Sequence, residues 1–569
     1  MRYLALATDY DGTLAHDGVV DDKTIEALKR LRHSGRKLIM VTGREIPDLE
    51  SVFDRLDLFD CIVAENGALL YTPATREKTV LGQRPPDAFI AALKQRGVGP
   101  MSVGDVIIAT WHPHEMTVLE TIRDFGLEFQ VIFNKDAVMI LPAGINKMSG
   151  LTQALRDLRL SRHNIVGIGD AENDHAFLGC CECSVAVANA IPALKERVDI
   201  VMDEDHGAAV AAIIDRMVED DLRSLRLDNP RHRLPLGRLD DRDVYVQAYG
   251  RNMLLIGPSG SGKSTFVSGF LEQLVARGYQ TCLVDPEGDY EGLEGFLTIG
   301  DEDHGPSFEQ VFQLLDRPDS NLIISLLGVK MQDRPHFFAS LLAKLQDKSN
   351  KEARPHWLII DEAHHLLPSE WAPASAEVAG QTMSMLLVTV HPEHVSPAAL
   401  KPIQIVSVVG KDPQKSADEF AAAVGIKAPR FEPGDLAQGE ASVWFCETGE
   451  VFNHVRTLPG KAERKRHKRK YAEGELEPER VFVFKGAENK LNLRVQNLRT
   501  FLQISEGIDD ETWLFHLNRG EYSGWFRDKI KDRDLAADVE RVEQNKDLSP
   551  VDSRKEIAKA IEARYTAPA

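Results

Sequence analysis

At 569 residues the chain exceeds the length at which one hydrophobic core keeps growing, so roughly two to four domains are expected. Its hydrophobic fraction of 43% and charged fraction of 27% are those of ordinary soluble globular protein, and no stretch approaches the roughly 18 uninterrupted apolar residues of a membrane helix. A formal net charge of -20 excludes a chain that is basic throughout and coats nucleic acid, while 6 cysteines give no disulfide framework.

The opening MRYLALATDYDGTL has a short apolar run interrupted by acids, without the length or cleavage pattern of a secretory signal. A cytoplasmic location with no membrane partner is expected. Residues 1–215 alternate short apolar strands with helical stretches, the rhythm of a parallel α/β sheet. Strands are predicted over 4–8, 37–41 and 165–169, and a helix over 22–32 with Ile25, Leu28 and Leu31 at helical spacing. Between 84 and 142 the pattern changes to helix, strand (103–111), helix and two further strands (129–133, 137–141), a small α+β insertion. Residues 218–243, rich in Arg, Asp, Leu and Pro, read as a connector. A second α/β unit follows over 244–458, with strands at 253–256, 281–284, 321–325, 357–360 and 385–390. In the charged linker 459–479, seven Lys or Arg stand against one Glu over 461–470 before the sign reverses. That pattern is a solvated linker or, more sharply, a nucleic-acid contact. The last part, 480–569, reads as a small mainly helical domain. Its Trp513, Phe515, Trp525 and Phe526 suit a core better than a base-stacking platform, which would interleave them with basic residues.

Two groups of residues carry chemistry. Asp9 and Asp11, in Asp9-Tyr10-Asp11-Gly12-Thr13-Leu14, sit where a strand ends, the place open α/β sheets put their ligands. Two such carboxylates can divide phosphoryl transfer, one attacking phosphorus and the other serving as acid and then base. Both repel a phosphate dianion, so a hard cation and an ammonium must accompany them. Thr42 in Val41-Thr42-Gly43-Arg44, Lys147 in Gly144-Ile145-Asn146-Lys147, and Gly169-Asp170-Ala171-Glu172-Asn173-Asp174 follow in order. Turn residues at strand ends would be rich in Asp, Asn and Gly anyway, but four spaced matches exceed that expectation. This part resembles hydrolases of the haloacid dehalogenase (HAD) family, of the subclass with a cap inserted after the second motif. That subclass includes phosphoglycolate and sugar-phosphate phosphatases.

The resemblance implies Asp9 as nucleophile, forming an aspartyl-phosphate, and Asp11 as acid/base with its carbonyl on the metal. It implies Thr42, Gly43, Lys147 and Asn173 as phosphate contacts, and Asp9, Asp11, Asp170 and Asp174 around Mg²⁺. The phosphatase core is then 1–83 with 143–217, a Rossmann-like parallel sheet. The 104 residues between Thr42 and Lys147 hold the substrate-choosing cap, 84–142. Glu65-Asn66-Gly67-Ala68 matches a turn common in the subclass. Trp111, His112, His114 and Lys135 are candidates to face the site, with cap core the alternative for Trp111. Cys180, Cys181 and Cys183 lack a second pair at zinc-ribbon spacing and are expected as packing thiols.

Gly257-Pro258-Ser259-Gly260-Ser261-Gly262-Lys263-Ser264 follows a strand and opens a helix, a complete P-loop. Gly257, Gly260 and Gly262 let backbone N–H groups cradle a β-phosphate, with Thr265 in the same turn. Lys263 should reach the β- and γ-phosphates and Ser264 the Mg²⁺. Asp361 ends a strand as the second metal group, and Glu362 can polarise the attacking water, so ATP binding and hydrolysis are expected of a RecA-like domain. Asp285-Pro286-Glu287-Gly288-Asp289-Tyr290 and Asp361-Glu362-Ala363-His364 resemble the HerA/FtsK translocases, which implies a homo-oligomer, a hexamer in that group. His391 stands where that group has a polar sensor, and Arg430 is a candidate arginine finger. Three readings remain open at this point. One is a phosphatase of small phosphorylated metabolites carrying an ATPase module. The others are a nucleic-acid motor with an end-processing phosphatase and a polynucleotide kinase-phosphatase.

Overall fold

The computed structural model describes the chain except for residues 135, 226–228, 372–382, 459, 461–480, 487–489, 531 and 566–569. The basic run and Lys135 therefore lie outside the described residues. Two compact units result. The first comprises Met1–Val284, Pro306–Ile324 and Val329–Gly460, and the second the described residues of Asp285–Gly305, Ser325–Gly328 and Lys461–Ala569. Among the described residues no helix is long and apolar enough to cross a membrane.

In the first unit, fully buried apolar runs make a parallel sheet, as strands covered on both faces must. Its order is Ile200–Val201, Cys183–Ala186, Ile165–Gly169, Ala5–Thr8, Lys37–Val41 and Cys61–Ala64, all parallel. Leu69–Thr72 and Glu77–Val80 then extend it antiparallel. Helix Asp22–His33, capped by the Asp21 carboxylate on the Thr24 N–H, packs on helix His206–Asp220, where Arg30 pairs with Asp215 at 2.6 Å.

The insertion is a four-stranded antiparallel sheet in the order Ser102–Val103, Ile108–Trp111, Ala137–Pro142, Phe129–Asn134. Helices Asp87–Gln95 and Glu115–Phe125 cover one face, Phe89, Leu93 and Val118 packing with Ile140 of the sheet. The single strand predicted over 103–111 is broken at 104–107. The N–H groups of Asp105, Val106 and Ile107 turn out of the ladder and donate to the Glu65 carboxylate at 2.8, 2.7 and 2.9 Å. Glu65, in the turn after strand Cys61–Ala64 of the parent sheet, is thus the buried peg on which the insertion sits.

The connector is shorter than its composition suggests. Arg233–Leu239 and Arg242–Gln247 form an antiparallel hairpin, and its first strand pairs with Glu450–Thr457 through Gly237 and Arg238. Leu234, Leu236, Val244 and Val246 are buried and largely alternate with more exposed neighbours, broken by a register shift at Gly237, a pattern that the density of Arg and Asp hides in the sequence. Gly237 is required there, since a Cβ would lie 2.4 Å from the Arg456 carbonyl oxygen. The sheet continues through Glu440–Phe445 to a parallel core of Ile405–Val409, Asn252–Ile256, Ser384–Thr389, Trp357–Ile360 and Thr281–Asp285.

The eight-stranded sheet and the P-loop sheet meet at the amino ends of their strands. Tyr3, His163 and Glu182 precede strands of the first sheet, and Tyr249, Tyr279 and His356 precede strands of the second. His163 stacks on Tyr279 with ring centroids 3.7 Å apart, and its Nε2 lies 2.9 Å from the Arg277 carbonyl oxygen. Arg2 covers the Tyr249 ring at 4.1 Å and pairs with Glu182 at 2.5 Å. Glu182 also takes His163 Nδ1 at 2.6 Å, His232 Nδ1 at 3.3 Å and the Tyr279 hydroxyl at 3.4 Å.

In the second unit a hairpin of Phe482–Phe484 with Leu493–Val495 precedes helices Leu498–Gly507, Asp510–Leu517, Glu521–Trp525, Arg533–Gln544 and Pro550–Tyr565. Phe482, Phe484, Phe501, Trp513, Tyr522, Trp525 and Phe526 are buried together, and the Trp513 indole N–H donates to Ser553 Oγ at 2.9 Å. These aromatics form the core of a small domain.

Candidate active site

Asp9 follows the central strand Ala5–Thr8, and its N–H is fixed by the Ile168 carbonyl at 3.0 Å. Lys147, the first residue of helix Lys147–Asp157, is 1% exposed. Its Nζ reaches Asp9 Oδ1 at 2.5 Å and Asp174 Oδ1 at 2.6 Å. The other Asp174 oxygen accepts from the N–H groups of Asp170 and Ala171 at 2.9 and 3.0 Å, and Thr13 Oγ1 donates to Asp170 at 3.0 Å. Four positions scattered from 9 to 174 are thereby brought into one buried cluster. Asp9, Asp170 and Asp174 offer carboxylate oxygens within 4.8 Å of one another, against a single ammonium. Burial, and then Asp174, push the Asp9 carboxyl well above its usual range, with Lys147 opposing them. Burial works against the Lys147 ammonium, but Asp174 and Asp9 outweigh it and raise its pKa. A buried set of hard oxygens with excess negative charge suits a divalent cation such as Mg²⁺.

Asp11 points elsewhere. Its carboxylate is gripped by Arg44, Nε to Oδ2 at 2.7 Å and Nη2 to Oδ1 at 2.8 Å, while Nη1 of the same guanidinium takes Asp48 at 2.7 Å. Thr42 is buried, its hydroxyl accepting from the Arg44 N–H at 3.1 Å. Asn173 spends its amide N–H on Asn66 Oδ1 at 3.1 Å, which ties the acidic loop to the Glu65–Gly67 turn. The insertion reaches this loop cluster, since Met139 Cε would lie 3.0 Å from a Cβ on Gly43. The pairings Ala109↔Met139 and Trp111↔Ala137 put Trp111 on the Met139 face, where it is 42% exposed and no part of the cap core. His112 is exposed beside Glu115, and His114 Nε2 lies 2.9 Å from the Gly99 carbonyl oxygen. Cys181 and Cys183 are buried free thiols.

The second site is built on strand Asn252–Ile256 and helix Lys263–Ala276. Gly260 and Gly262 take φ of 75° and 102°, the left-handed turn that aims N–H groups inward. Gly257 admits no Cβ, which would lie 2.5 Å from the Val409 carbonyl oxygen. Lys263 Nζ donates to the Gly257 carbonyl at 2.9 Å, with Ser264 and Thr265 next on the helix. One strand away, Ser384–Thr389 separates the P-loop strand from Trp357–Ile360, whose end carries buried Asp361 and Glu362. Glu362 holds φ at 43°, a left-handed strain typical of functional residues. Its Oε2 lies 3.5 Å from His364 Nδ1, which is 3.1 Å from Thr389 Oγ1. The intervening strand ends at Thr389, so Thr389 joins this chain, and His391 instead pairs with Glu393 at 3.1 Å. Arg430 is exposed.

Arg44, Glu65 and Thr389 were not assigned from sequence. Glu65 gave a signal as part of a recurring turn and Arg44 as the end of the Val41–Arg44 motif, while Thr389 acts through a partner distant in the chain.

The geometry defines an α/β domain with a buried acidic cluster and an inserted cap, joined to a P-loop domain. A model of haloacid dehalogenase-like hydrolases matches residues 6–110 and 114–214, and a model of the AAA domain matches 246–389. Phosphoglycolate phosphatase of Methanothermobacter thermautotrophicus is 32% identical over 228 residues, 38% of this chain and 98% of that protein. Phosphoglycolate phosphatase 2 of Saccharolobus solfataricus is 30% identical over 227 residues, 38% of this chain and 92% of that protein. A solved haloacid dehalogenase-like hydrolase from Bacteroides thetaiotaomicron is 17% identical, with 38% of this chain and 99% of that one covered, at a TM-score of 0.35. Through its first 214 residues the chain belongs to the haloacid dehalogenase-like hydrolase family.

Proposed function

We propose that the chain is a Mg²⁺-dependent phosphomonoester hydrolase of small phosphorylated metabolites, phosphoglycolate first among them, carrying an ATP-hydrolysing P-loop domain. The observation that carries this reading is the buried Asp9, Asp170, Asp174 and Lys147 cluster. Asp9 forms the new O–P bond as the ester oxygen leaves, and Asp11 gives that oxygen its proton. Asp11 then takes a proton from the water that releases phosphate from the aspartyl-phosphate. Lys147 neutralises the approaching dianion, and Thr42, Gly43 and Asn173 supply hydrogen bonds to its oxygens. Asp9, Asp170, Asp174 and the Asp11 carbonyl would hold Mg²⁺, which when bound supplies charge neutralisation at the phosphoryl oxygens. Phosphoglycolate comes from the relatives' activity. On the second domain, Lys263 and the loop glycines would grip the phosphates of ATP, Ser264 and Asp361 would hold its Mg²⁺, and Glu362 would orient water.

Turnover of 2-phosphoglycolate by the full chain should disappear in chelator and return with added Mg²⁺. Activity undiminished by chelation would refute the metal-dependent reading. Separately, Lys263→Ala should weaken ATP binding by at least about tenfold in a direct titration, on the scale of a charge-assisted contact. Unchanged affinity would remove Lys263 from the nucleotide site.

A further inference from the structure

We propose that the turn His391-Pro392-Glu393-His394 is a binding site for Zn²⁺, with its two imidazoles and its carboxylate as the ligands. The site stands apart from both reactions proposed above and depends on neither.

Among the described residues, two groups of three metal-ligating side chains bring one donor atom each within 4.8 Å of one another. The first is the buried set of Asp9, Asp170 and Asp174, hard oxygens throughout. The second is His391, Glu393 and His394, exposed at the surface, and its donors are of another kind: two imidazole nitrogens and one carboxylate oxygen. Mg²⁺ prefers oxygens in near-ideal octahedral order, whereas two imidazoles with a carboxylate are a set that Zn²⁺ takes readily. The spacing agrees. In a tetrahedron with bonds of about 2.0–2.2 Å, ligand atoms lie about 3.4 Å apart. His391 Nδ1 is 3.1 Å from Glu393 Oε1.

The backbone holds the three donors together. Pro392–His394 is a single 3₁₀ turn, in which side chains three positions apart eclipse. His391 and His394 therefore share a face, with ring centroids 5.1 Å apart. Pro392 fixes its own φ at the start of the turn. On one side the His391 N–H donates to Thr389 Oγ1 at 3.1 Å, at the end of strand Ser384–Thr389. On the other, Val395 bridges to Pro368 and the Ser396 N–H donates to the Leu367 carbonyl at 2.9 Å. Without a metal these side chains do little for the fold. His391 and Glu393 are 50% and 42% exposed, so their ion pair is of the weak surface kind. Among the described residues the Glu393 carboxylate has no second partner, and the His394 ring makes no hydrogen bond or ion pair. Three protein ligands would leave the fourth position on Zn²⁺ to water.

The test is Zn²⁺ uptake by the full chain, stripped with chelator and then held in excess Mg²⁺ to compete for the buried carboxylates. Titration against a chromophoric chelator should count one equivalent more in the wild type than in His391→Ala/His394→Ala. Co²⁺ in place of Zn²⁺ should give the wild type a visible absorption that this double variant lacks. Glu393→Gln should weaken the same equivalent by at least about tenfold, since an amide oxygen is a poorer ligand than a carboxylate. It also decides the matter alone if the double change disturbs the turn. His33→Ala/His304→Ala, which removes two exposed histidines elsewhere, should keep the equivalent. Equal uptake by the wild type and His391→Ala/His394→Ala would overturn the proposal. So would an equal loss in His33→Ala/His304→Ala, the mark of scattered surface imidazoles, or full affinity in Glu393→Gln.

Discussion

Asp9→Asn should abolish phosphomonoester turnover, a loss of at least about 10⁴-fold, while the metal-free protein melts at a higher temperature than the wild type. The two halves of this expectation come from the same charges. Asn keeps the size of Asp and an oxygen for Lys147, but an amide oxygen is too weak a nucleophile to form an acyl-phosphate. The stability gain follows from the raised carboxyl. Burial, and then Asp174, push Asp9 up, so its folded pKa lies above its unfolded one. A carboxyl shifted that way destabilises the fold wherever pH exceeds the unfolded value, about 3.9, because the unfolded chain then holds the charge more comfortably. Removing the charge at neutral pH relieves that strain, and Lys147 retains Asp174 at 2.6 Å. Activity assays paired with melts in chelator check both halves. A variant that loses activity and also melts much earlier has merely misfolded, and residual turnover in a clean preparation would take the nucleophile's role from Asp9.

Glu182→Ala should destabilise the first unit by about 3–5 kcal/mol, the loss typical of breaking a buried ion pair from one side. Arg2, His163, His232 and the Tyr279 hydroxyl all converge on this carboxylate, which is 4% exposed. Without it Arg2 loses a carboxylate partner and His232 is left with Asp199. Burial alone would raise the Glu182 pKa, but the hydrogen bonds of His163 and His232 and the charge of Arg2 hold it well below the carboxylate range. Its neighbour Asp199 is brought to about 2 by His232 and Arg231 in spite of burial. Both folded values lie under the unfolded ones. Their stabilisation is therefore complete above about pH 4.5 and is lost as pH falls through the folded values. Two of the buried histidines, His232 and His356, act oppositely. His232 is raised, its carboxylate partners overcoming burial, and stabilises on the acid side of about 6.5. His356 is lowered by burial and then by His163, and stabilises on the alkaline side. Urea unfolding across pH 2 to 8 should show a steep acid loss in the wild type and a flatter one in Glu182→Ala. A change below about 1 kcal/mol at pH 7 would mean that the cluster does not hold the unit together.

Much of this was legible in the amino-acid sequence because the signals were local. Strands such as Ile165–Gly169 and Trp357–Ile360 are apolar runs that end in Asp170 and Asp361, so periodicity and chemistry pointed to the same places. What escaped was non-local. The hairpin Arg233–Leu239 with Arg242–Gln247 hid its alternation beneath charged outward positions, and became a strand pair only because Glu450–Thr457 offered an edge. The break at 104–107 depends on Glu65, some forty positions earlier, taking three N–H groups from the ladder. Arg44 followed a recognisable motif, yet its grip on Asp11 joins two loops that no spacing rule relates. Thr389 displaced His391 because the strand stopped at Thr389, one residue sooner than the predicted 385–390.

The meeting of the two sheets at their amino ends sets the two candidate sites apart. Asp9 and Asp170 lie at the carboxyl ends of one sheet, Gly257 and Asp361 at the carboxyl ends of the other, so each candidate site stands at the strand ends away from the shared contact. The strands that carry the two sites are thus tied back to back, through the Glu182 cluster and through the Arg354 guanidinium on the Arg159 carbonyl.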